Sequence, residues 1–276
     1  MGETTNTIVR APNNRRTFFS HPRRLLAAVP LFKRSWESYK TFRFRAMKKA
    51  FFARHGPVVR GGPFRGLRYV PESSGSALLP KLLGSYESAL HSVLADAIGT
   101  QYERIVDIGC AEGYYAVGLT YRCPETPVIA FESSPSARDL CRRLAELNGL
   151  SPRVTILGQC TTSSLEAVLL GRSLIVCDVE GDEAELLDPV LVKGLEDCDL
   201  IVELHPFINA SIPRLIGDRF RPTHAGFLIH GRDGGRFPAE LKTFKWFDRP
   251  LATWEERSGK EAVWLVLRSR RHVEGD

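Results

Sequence analysis

One stretch in the middle of the sequence, RIVDIGCAEGYYAVGLTYRCPETPVIAFE, constrains the fold most. Its residues 105–108 are apolar apart from one aspartate, and the glycine-bounded residues 109–113 follow directly. A helical pattern then covers 114–121, and a second apolar run, 128–131, ends at Glu132. The order strand, glycine turn, helix, strand and carboxylate is typical of a parallel α/β sheet that binds a ribonucleoside at the carboxyl ends of its strands. Glycines let the backbone approach a ligand closely, and the helix N-terminus supplies free amides.

The same alternation continues towards the C-terminus. Residues 154–157, 173–177 and 199–204 are further apolar strands with helical segments between them, and 225–230 and 262–268 form two late strands. Near-continuous apolar strands that alternate with helices predict a parallel sheet covered on both faces, and the closing pair predicts an antiparallel hairpin. We therefore predict an α/β fold with a doubly wound, mostly parallel, seven-stranded sheet. Local patterns further predict a small hairpin at 64–70, a helix that begins after Ser85 and a helix over 183–194.

The positive charge is concentrated at the N-terminus. Residues 1–60 carry 14 Lys and Arg against Glu3 and Glu37, a balance of +12 in a chain of net charge +6, so the remainder is −6. We predict a basic N-terminal arm over 1–56, partly disordered and with an amphipathic helix at 35–54, followed by one domain over 57–276. Such an arm can contact nucleic acid or an anionic membrane, although a solvated helix face is the preferred interpretation.

The composition argues against a membrane-spanning protein and against one stabilised by disulfides or zinc. No run approaches the roughly 18 apolar residues of a membrane span. The six cysteines include no C-x-x-C pair, so neither a disulfide framework nor a zinc site is indicated. Reduced cysteines and the absence of a signal peptide predict a cytoplasmic protein.

Polar residues follow the predicted strands at the edge where a parallel sheet binds its ligands. These are Asp107 and Gly109 for the first strand, Glu132 for the second, Gln159 for the third, Asp178 and Glu180 for the fourth, and Glu203 and His205 for the fifth. The pattern D-x-G-x-x-x-G at 107–113 lacks the second glycine of the dinucleotide fingerprint, because residue 111 is alanine. An NAD-dependent oxidoreductase, which would share this architecture, is therefore disfavoured.

The segment VDIGCAEGYYAVGL resembles the first motif of class I S-adenosylmethionine-dependent methyltransferases. Within that superfamily, DVEGDE at 178–183 and IVELHP at 201–206 resemble the FkbM-type family. The upstream segments GPFRGLRYV and ALLPKLLGSYE look like those that lead into the core in its relatives, so the resemblance spans roughly residues 62–206. It implies the Rossmann-like methyltransferase fold with S-adenosylmethionine as cofactor.

The resemblance also implies roles for individual residues. Gly109 and Gly113 would approach the methionine part of the cofactor, Asp107 would fix that turn or hold the cofactor's amino group, and Tyr114 would close over it. Glu132 would accept the ribose hydroxyls. Gln159 would bind the adenine, although many relatives carry an acidic residue near that position, and Asp178 is a further cofactor-site candidate.

Catalysis is predicted at the ends of the fourth and fifth strands. A histidine near its unperturbed pKa of about 6.5 suits a hydroxyl acceptor as general base, so His205 is the first candidate. Asp178 and Glu203 would position the acceptor, the base or a divalent cation. Mg²⁺ would suit this oxygen-rich set but is not expected, because three strand-end residues need not share a ligand. In the alternative interpretation, His205 and Glu180 only stabilise their loops.

The predicted function is methylation of a hydroxyl on a small molecule or glycan. Arg214, Arg219, Arg232 and Arg236 would suit an anionic or sugar acceptor, although an ordinary solvated surface is the preferred interpretation. The alternative function is a non-catalytic methyltransferase-fold module that the basic arm recruits to a partner, nucleic acid or a membrane.

Overall fold

The computed structural model describes residues 30–231, 239–255 and 262–272. The chain divides into two compact units between Arg54 and His55. Helix α1, Pro30–His55, is longer than the predicted 35–54, and all of it except His55 belongs to the first unit. The predicted disorder, at residues 1 to about 20, lies outside the described residues, and both the arm and its contacts stay predictions.

The second unit is built on one seven-stranded sheet. Its strands are β1 Arg104–Ile108, β2 Val128–Phe131, β3 Val154–Leu157, β4 Ser173–Cys177, β5 Asp199–Leu204, β6 His224–Gly231 and β7 Ala262–Ser269. Their order is β3-β2-β1-β4-β5-β7-β6. The first five strands pair in parallel, and β7 lies antiparallel to both β5 and β6. This confirms the predicted α/β fold with its doubly wound, mostly parallel, seven-stranded sheet and closing antiparallel hairpin.

Helices connect the strands. They are α2 Leu78–Leu83, α3 His91–Gly99, α4 Tyr114–Arg122, α5 Pro135–Leu147, α6 Thr162–Val168, α7 Glu183–Leu186, α8 Ile212–Phe220 and α9 Arg249–Ala252. Short 3₁₀ turns cover Ser88–Leu90, Ser151–Arg153, Lys193–Asp197, Ala239–Thr243 and Arg270–His272. Helix α5 begins as its sequence predicts, because the Ser134 hydroxyl accepts the Ala137 amide at 3.4 Å and Pro135 occupies the first turn.

The core explains why the strands read as apolar runs. Every residue of β4 and β5 is buried, as are Ile105, Val106 and Ile108 of β1, so helices cover both faces of the sheet. All six cysteines are buried free thiols. Among the described helices, none combines the length and the apolar character needed to cross a membrane.

Three local predictions are wrong. Residues 64–70, predicted as a hairpin, contribute a single bridge between Val58 and Arg68. The helix predicted to begin after Ser85 begins at His91, because Glu87 takes a left-handed φ of 47° that interrupts it. The helix predicted over 183–194 stops at Leu186, three residues before Pro189, since proline disfavours helical backbone before it.

Candidate active site

The glycine turn (residues 109–113) joins β1 to α4 and touches two neighbouring elements. Gly109 has φ +84°, and a Cβ there would lie 1.9 Å from the carbonyl oxygen of Asp178. Gly113 has φ +96°, and a Cβ there would lie 2.7 Å from the Cys141 sulfur on α5. Both positions need glycine for backbone conformation and for space. Gly109 faces the cavity described below, whereas Gly113 is buried against α5.

Glu132 connects the ends of β1 and β2. Its Oε2 accepts the Ala111 amide at 2.9 Å, and its Oε1 accepts the Ser134 amide at 2.7 Å. The side chain is half-buried. The Ser133 hydroxyl also donates to Oε1, at 3.5 Å, while Oε2 keeps a second lone pair available for a ligand donor. The backbone therefore fixes this carboxylate at the carboxyl edge of the sheet before any ligand arrives.

A cavity of about 480 Å³ lies beside the glycine turn at this edge. Among the residues predicted to bind the cofactor, its lining includes Asp107, Gly109, Tyr114, Glu132, Gln159 and Asp178. The structure thus brings these six together around one space, with Gly113 outside the lining. The lining also contains Ser74, Gly75, Ser76, Lys81 and Tyr86, which were not predicted.

Asp107 is a buried carboxyl group in the cavity wall, and its pKa is raised. Burial raises its pKa to about 7, a backbone hydrogen bond from Ala116 and the charge of Lys81 lower it, and the charge of Glu132 raises it. The side chain is only 2% exposed, and its Oδ2 has no hydrogen-bond partner among the described residues. A buried carboxylate oxygen on a cavity wall favours a ligand that brings a donor or a positive charge.

Tyr114 lies in the cavity wall as part of an aromatic cluster. Its ring makes edge-to-face contacts with Phe64 and Tyr86 at centroid distances of 5.0 and 5.1 Å. Burial raises the pKa of its phenol, so the group is neutral at physiological pH. Tyr114 therefore offers the cavity a fixed aromatic surface.

His205 lies among carboxylates at the end of β5. Its Nδ1 is hydrogen-bonded to the buried Glu183 carboxylate, while its Nε2 lies 3.5 Å from Asp178 and 3.7 Å from Glu180. Burial lowers the pKa of His205, but the Glu183 hydrogen bond and the charges of Glu183, Asp178 and Glu203 outweigh it, so the pKa is raised. The Glu183 carboxylate therefore orients the imidazole, and the surrounding carboxylates favour its protonated form.

The predicted catalytic residues come together but do not share one exposed surface. Asp178, Glu203 and His205 each offer a ligand atom, and these atoms lie within 4.8 Å of one another. Asp178 and Glu180 line the cavity, whereas His205 and Glu203 are buried and do not belong to the described lining. Asp178 and Glu180 therefore lie between His205 and the cavity.

The same three residues are a candidate cation site in composition and spacing. Two carboxylates and an imidazole fit the hard-ligand chemistry of a divalent ion only in part, because Mg²⁺ prefers oxygen donors. Glu183 occupies Nδ1, which leaves Nε2 as the nitrogen that would face an ion. A protonated imidazole supplies positive charge to these carboxylates without a metal.

Two groups of functional interest were missed in the sequence. Glu183 was predicted to lie in the segment DVEGDE and in a helix but was given no role of its own, although its carboxylate orients His205. Lys81 and Glu112 form a buried ion pair across 31 positions of sequence. A charged residue in an amphipathic segment ordinarily indicates a solvent-exposed helix face. The one sequence feature that could have indicated a buried Lys81 is its position inside the otherwise apolar segment LLPKLL.

Two of the four arginines considered as acceptor contacts are described, and both lie on helix α8. Arg214 pairs with Asp218 on the surface of α8. Arg219 donates to the Ala184 carbonyl and pairs with Asp188 at 3.0 Å. Arg232 and Arg236 lie outside the described residues. The two described arginines are thus surface and structural groups.

Comparison with known proteins gives no family. No protein-family model matches the chain, and no curated protein sequence matches it. Solved structures that are similar in part include a putative O-methyltransferase from Klebsiella pneumoniae, with 14% identity over 65% of this chain and 77% of that one and a TM-score of 0.45.

Two further structures are similar at the same level. An O-methyltransferase from Bacillus cereus in complex with SAH is 14% identical over 66% of this chain and 81% of that one, with a TM-score of 0.42. A geranyl diphosphate methyltransferase in complex with GPP and sinefungin is 14% identical over 70% and 81%, with a TM-score of 0.45. At this level of likeness, the ligands and activities of those proteins are not transferred to this chain.

Proposed function

We propose that the protein is an S-adenosylmethionine-dependent methyltransferase. The observation that carries the proposal is the Glu132 carboxylate, which the Ala111 and Ser134 amides hold at the edge of the cavity beside Gly109. A fixed carboxylate at the end of β2 is suited to accept both hydroxyls of a ribose. The close approach of the Gly109 backbone leaves room for a ligand to lie against the turn.

The charge of the cavity supports a cationic nucleoside over a dinucleotide. Asp107, Glu132 and Asp178 line it, and Lys81, the sole cationic side chain in the described lining, is paired with Glu112. A pyrophosphate would be repelled by these carboxylates, whereas a sulfonium and an ammonium group would be attracted. The buried Oδ2 of Asp107 would accept a hydrogen bond from the ammonium group.

The chemistry divides between the cofactor and this chain. When bound, S-adenosylmethionine supplies a methyl group on a sulfonium, which is transferred by in-line displacement. The protein orients the acceptor and receives its proton. For a hydroxyl acceptor, Asp178 is placed to receive the hydrogen bond at the cavity wall, and His205 behind it is placed to take the proton at Nε2.

We further propose a hydroxyl on a small molecule or glycan as acceptor and the FkbM-type group as the family. The segments DVEGDE and IVELHP, which carry that resemblance, lie at the carboxyl ends of the adjacent strands β4 and β5 and support the proposal. The cytoplasm is the proposed location, and the six buried free thiols support it.

Calorimetric titration with S-adenosylhomocysteine tests the cofactor. We expect saturable binding to the wild type and binding at least about tenfold weaker in Glu132→Gln, which loses the carboxylate charge and keeps one oxygen for the backbone amides. The matched control is Glu125→Gln, an exposed glutamate in the loop before β2. A folded wild type that does not bind S-adenosylhomocysteine would rule out the proposal.

A further inference from the structure

A short segment upstream of the sheet supplies part of the cavity wall. Residues 73–76, which we call the strap, lie between the core segment at Tyr69 and helix α2. Ser74, Gly75 and Ser76 line the cavity together with residues from the strand ends, and Gly75 takes a left-handed φ of +74° with open space around it. The strap is therefore a turn whose position sets one boundary of the site.

The strap is attached to the glycine turn through the carboxylate of Glu112. Ser73 Oγ donates to Glu112 Oε1 at 2.7 Å, and the Ser74 amide donates to Oε2 at 3.0 Å. Tyr69 also donates to Oε1, at 2.8 Å. Glu112 is fully buried inside the turn that carries Gly109 and Gly113, so a single side chain connects two walls of the cavity.

Lys81 balances the charge of that carboxylate. Its ammonium pairs with Glu112 and lies 3.3 Å from Ser73 Oγ. It also lies over the rings of Tyr86 and Tyr114, 5.0 and 5.5 Å from their centroids. Burial raises the pKa of Glu112, but Lys81 and the hydrogen-bond donors outweigh it, so the pKa is lowered and the carboxylate is ionised.

A buried ion pair is a costly way to fill a core, because both ions lose their hydration. Apolar residues of similar volume would often stabilise the fold as well or better. The pair does, however, hold several hydrogen-bond donors in one geometry around the Glu112 carboxylate. Neither Ser73 nor Glu112 lines the described cavity. This arrangement suits a positioning role.

We infer that Glu112 and Lys81 are positioning residues for cofactor binding, which act by holding the strap against the glycine turn. The inference rests on the proposed function, since the ligand held between the two walls is S-adenosylmethionine. Glu112 acts through hydrogen bonds to the strap, and Lys81 acts through Glu112.

Two variants test this in the full-length protein. Ser73→Ala removes one of the strap's two hydrogen bonds to Glu112 while the ion pair stays intact, and Glu112→Gln removes the ionised acceptor itself. We expect S-adenosylhomocysteine to bind about tenfold more weakly to Ser73→Ala, the equivalent of one hydrogen bond, and more weakly still to Glu112→Gln. The control Asp139→Asn breaks an exposed ion pair with Arg142 on α5 and should bind as the wild type does.

Hydrogen exchange of the unliganded protein supplies a readout that does not depend on the ligand. The Ser74 amide should exchange faster in both variants, while the core strands and the urea midpoint of Ser73→Ala stay as in the wild type. Unchanged exchange at Ser74 in both variants would overturn the inference, as would a wild-type affinity in both.

The inference and the proposed function fail in different ways. A wild type that does not bind S-adenosylhomocysteine removes the proposed function and, with it, the cofactor role of the strap. A wild type that binds, together with variants that bind equally well, removes the strap inference alone. A loss of affinity with an unchanged Ser74 amide would assign Glu112 to the glycine turn and contradict its role in holding the strap.

Discussion

The Nδ1 atom of His205 is hydrogen-bonded to the carboxylate of Glu183, and both side chains are buried. Glu183 accepts, so Nδ1 carries a proton in the neutral imidazole and Nε2 is the free base. Nε2 faces Asp178 and Glu180, the two neighbours that line the cavity. The orientation of a general base in the proposed reaction is thus set by Glu183, which was not among the predicted site residues.

Replacing Glu183 with glutamine should change the pH dependence of stability. The folded-state pKa of His205 is raised above its unfolded value, so the interaction stabilises the fold fully below the unfolded pKa of about 6.5. That contribution is lost as the pH rises through the folded pKa. The difference in free energy of unfolding between wild type and Glu183→Gln should therefore be larger at pH 6 than at pH 9, as measured by urea denaturation.

The control for this experiment is Glu185→Gln, because Glu185 is exposed on the same short helix and does not contribute to the shift of His205. Ring-proton titration by NMR should show a lower pKa for His205 in Glu183→Gln and an unchanged pKa in Glu185→Gln. Equal pKa values for His205 in all three proteins would contradict the assigned orientation.

Replacing Asp107 with asparagine should remove the loss of unfolding free energy that ionisation of this buried carboxyl group causes as the pH rises. The folded-state pKa of about 7 lies above the ordinary carboxyl value because burial disfavours the charge. The protonated acid stabilises the fold fully below the unfolded pKa, and this contribution is lost as the pH rises through about 7. The free energy of unfolding of Asp107→Asn relative to wild type should therefore increase between pH 4 and 7 and level off above, in urea denaturation at matched ionic strength.

Asp107→Asn should also separate stability from binding. Asparagine keeps the shape but not the charge, so S-adenosylhomocysteine should bind it more weakly at pH 8, where the wild-type group is mostly ionised. A variant that is more stable at pH 8 and binds as tightly as the wild type would exclude Asp107 from the cofactor site.

The sheet could be predicted because its strands carry their own signal. Strands β4 and β5 are buried on both faces and therefore appear as uninterrupted apolar runs. Because parallel strands end at the same edge of the sheet, the residues that follow the predicted strands could be placed together there. These include Asp107, Glu132 and Asp178. The site residues missed in the sequence depend on contacts that a linear pattern does not contain.

Lys81 and Glu112 illustrate that limit. Neither residue differs in type from the many exposed charges of the chain, and only the packing of the strap against the glycine turn brings them together. The interruption at Glu87 has a similar origin, because its amide donates to Glu255 in a distant part of the chain. Tertiary hydrogen bonds there override the local helical preference.

We expect catalysis to be independent of added metal. Once His205 has taken the acceptor's proton at Nε2, its imidazolium supplies positive charge to Glu183, Asp178 and Glu203, so these carboxylates do not need a divalent cation for neutralisation during the reaction. Turnover of methyl-labelled S-adenosylmethionine with an identified hydroxyl acceptor should be unchanged by excess EDTA and by subsequent addition of Mg²⁺. An activity lost with EDTA and restored with Mg²⁺ would instead assign Asp178, Glu203 and His205 to a metal site.

Substituting alanine for Gly109 should destabilise the protein through its contact with the neighbouring strand end. Two left-handed glycines make a matched pair, because a Cβ at Gly109 would lie 1.9 Å from the Asp178 carbonyl oxygen, whereas one at Gly149 meets nothing within 4 Å. Gly149→Ala incurs only backbone strain, about 1 kcal/mol, while Gly109→Ala adds a steric clash with backbone and should lose about 2–4 kcal/mol of unfolding free energy. Urea denaturation measures both values, and equal losses would show that β1 and β4 do not approach each other as described. Because the clash displaces the chain at Asp178, Gly109→Ala should also weaken S-adenosylhomocysteine binding, and Gly149→Ala should not.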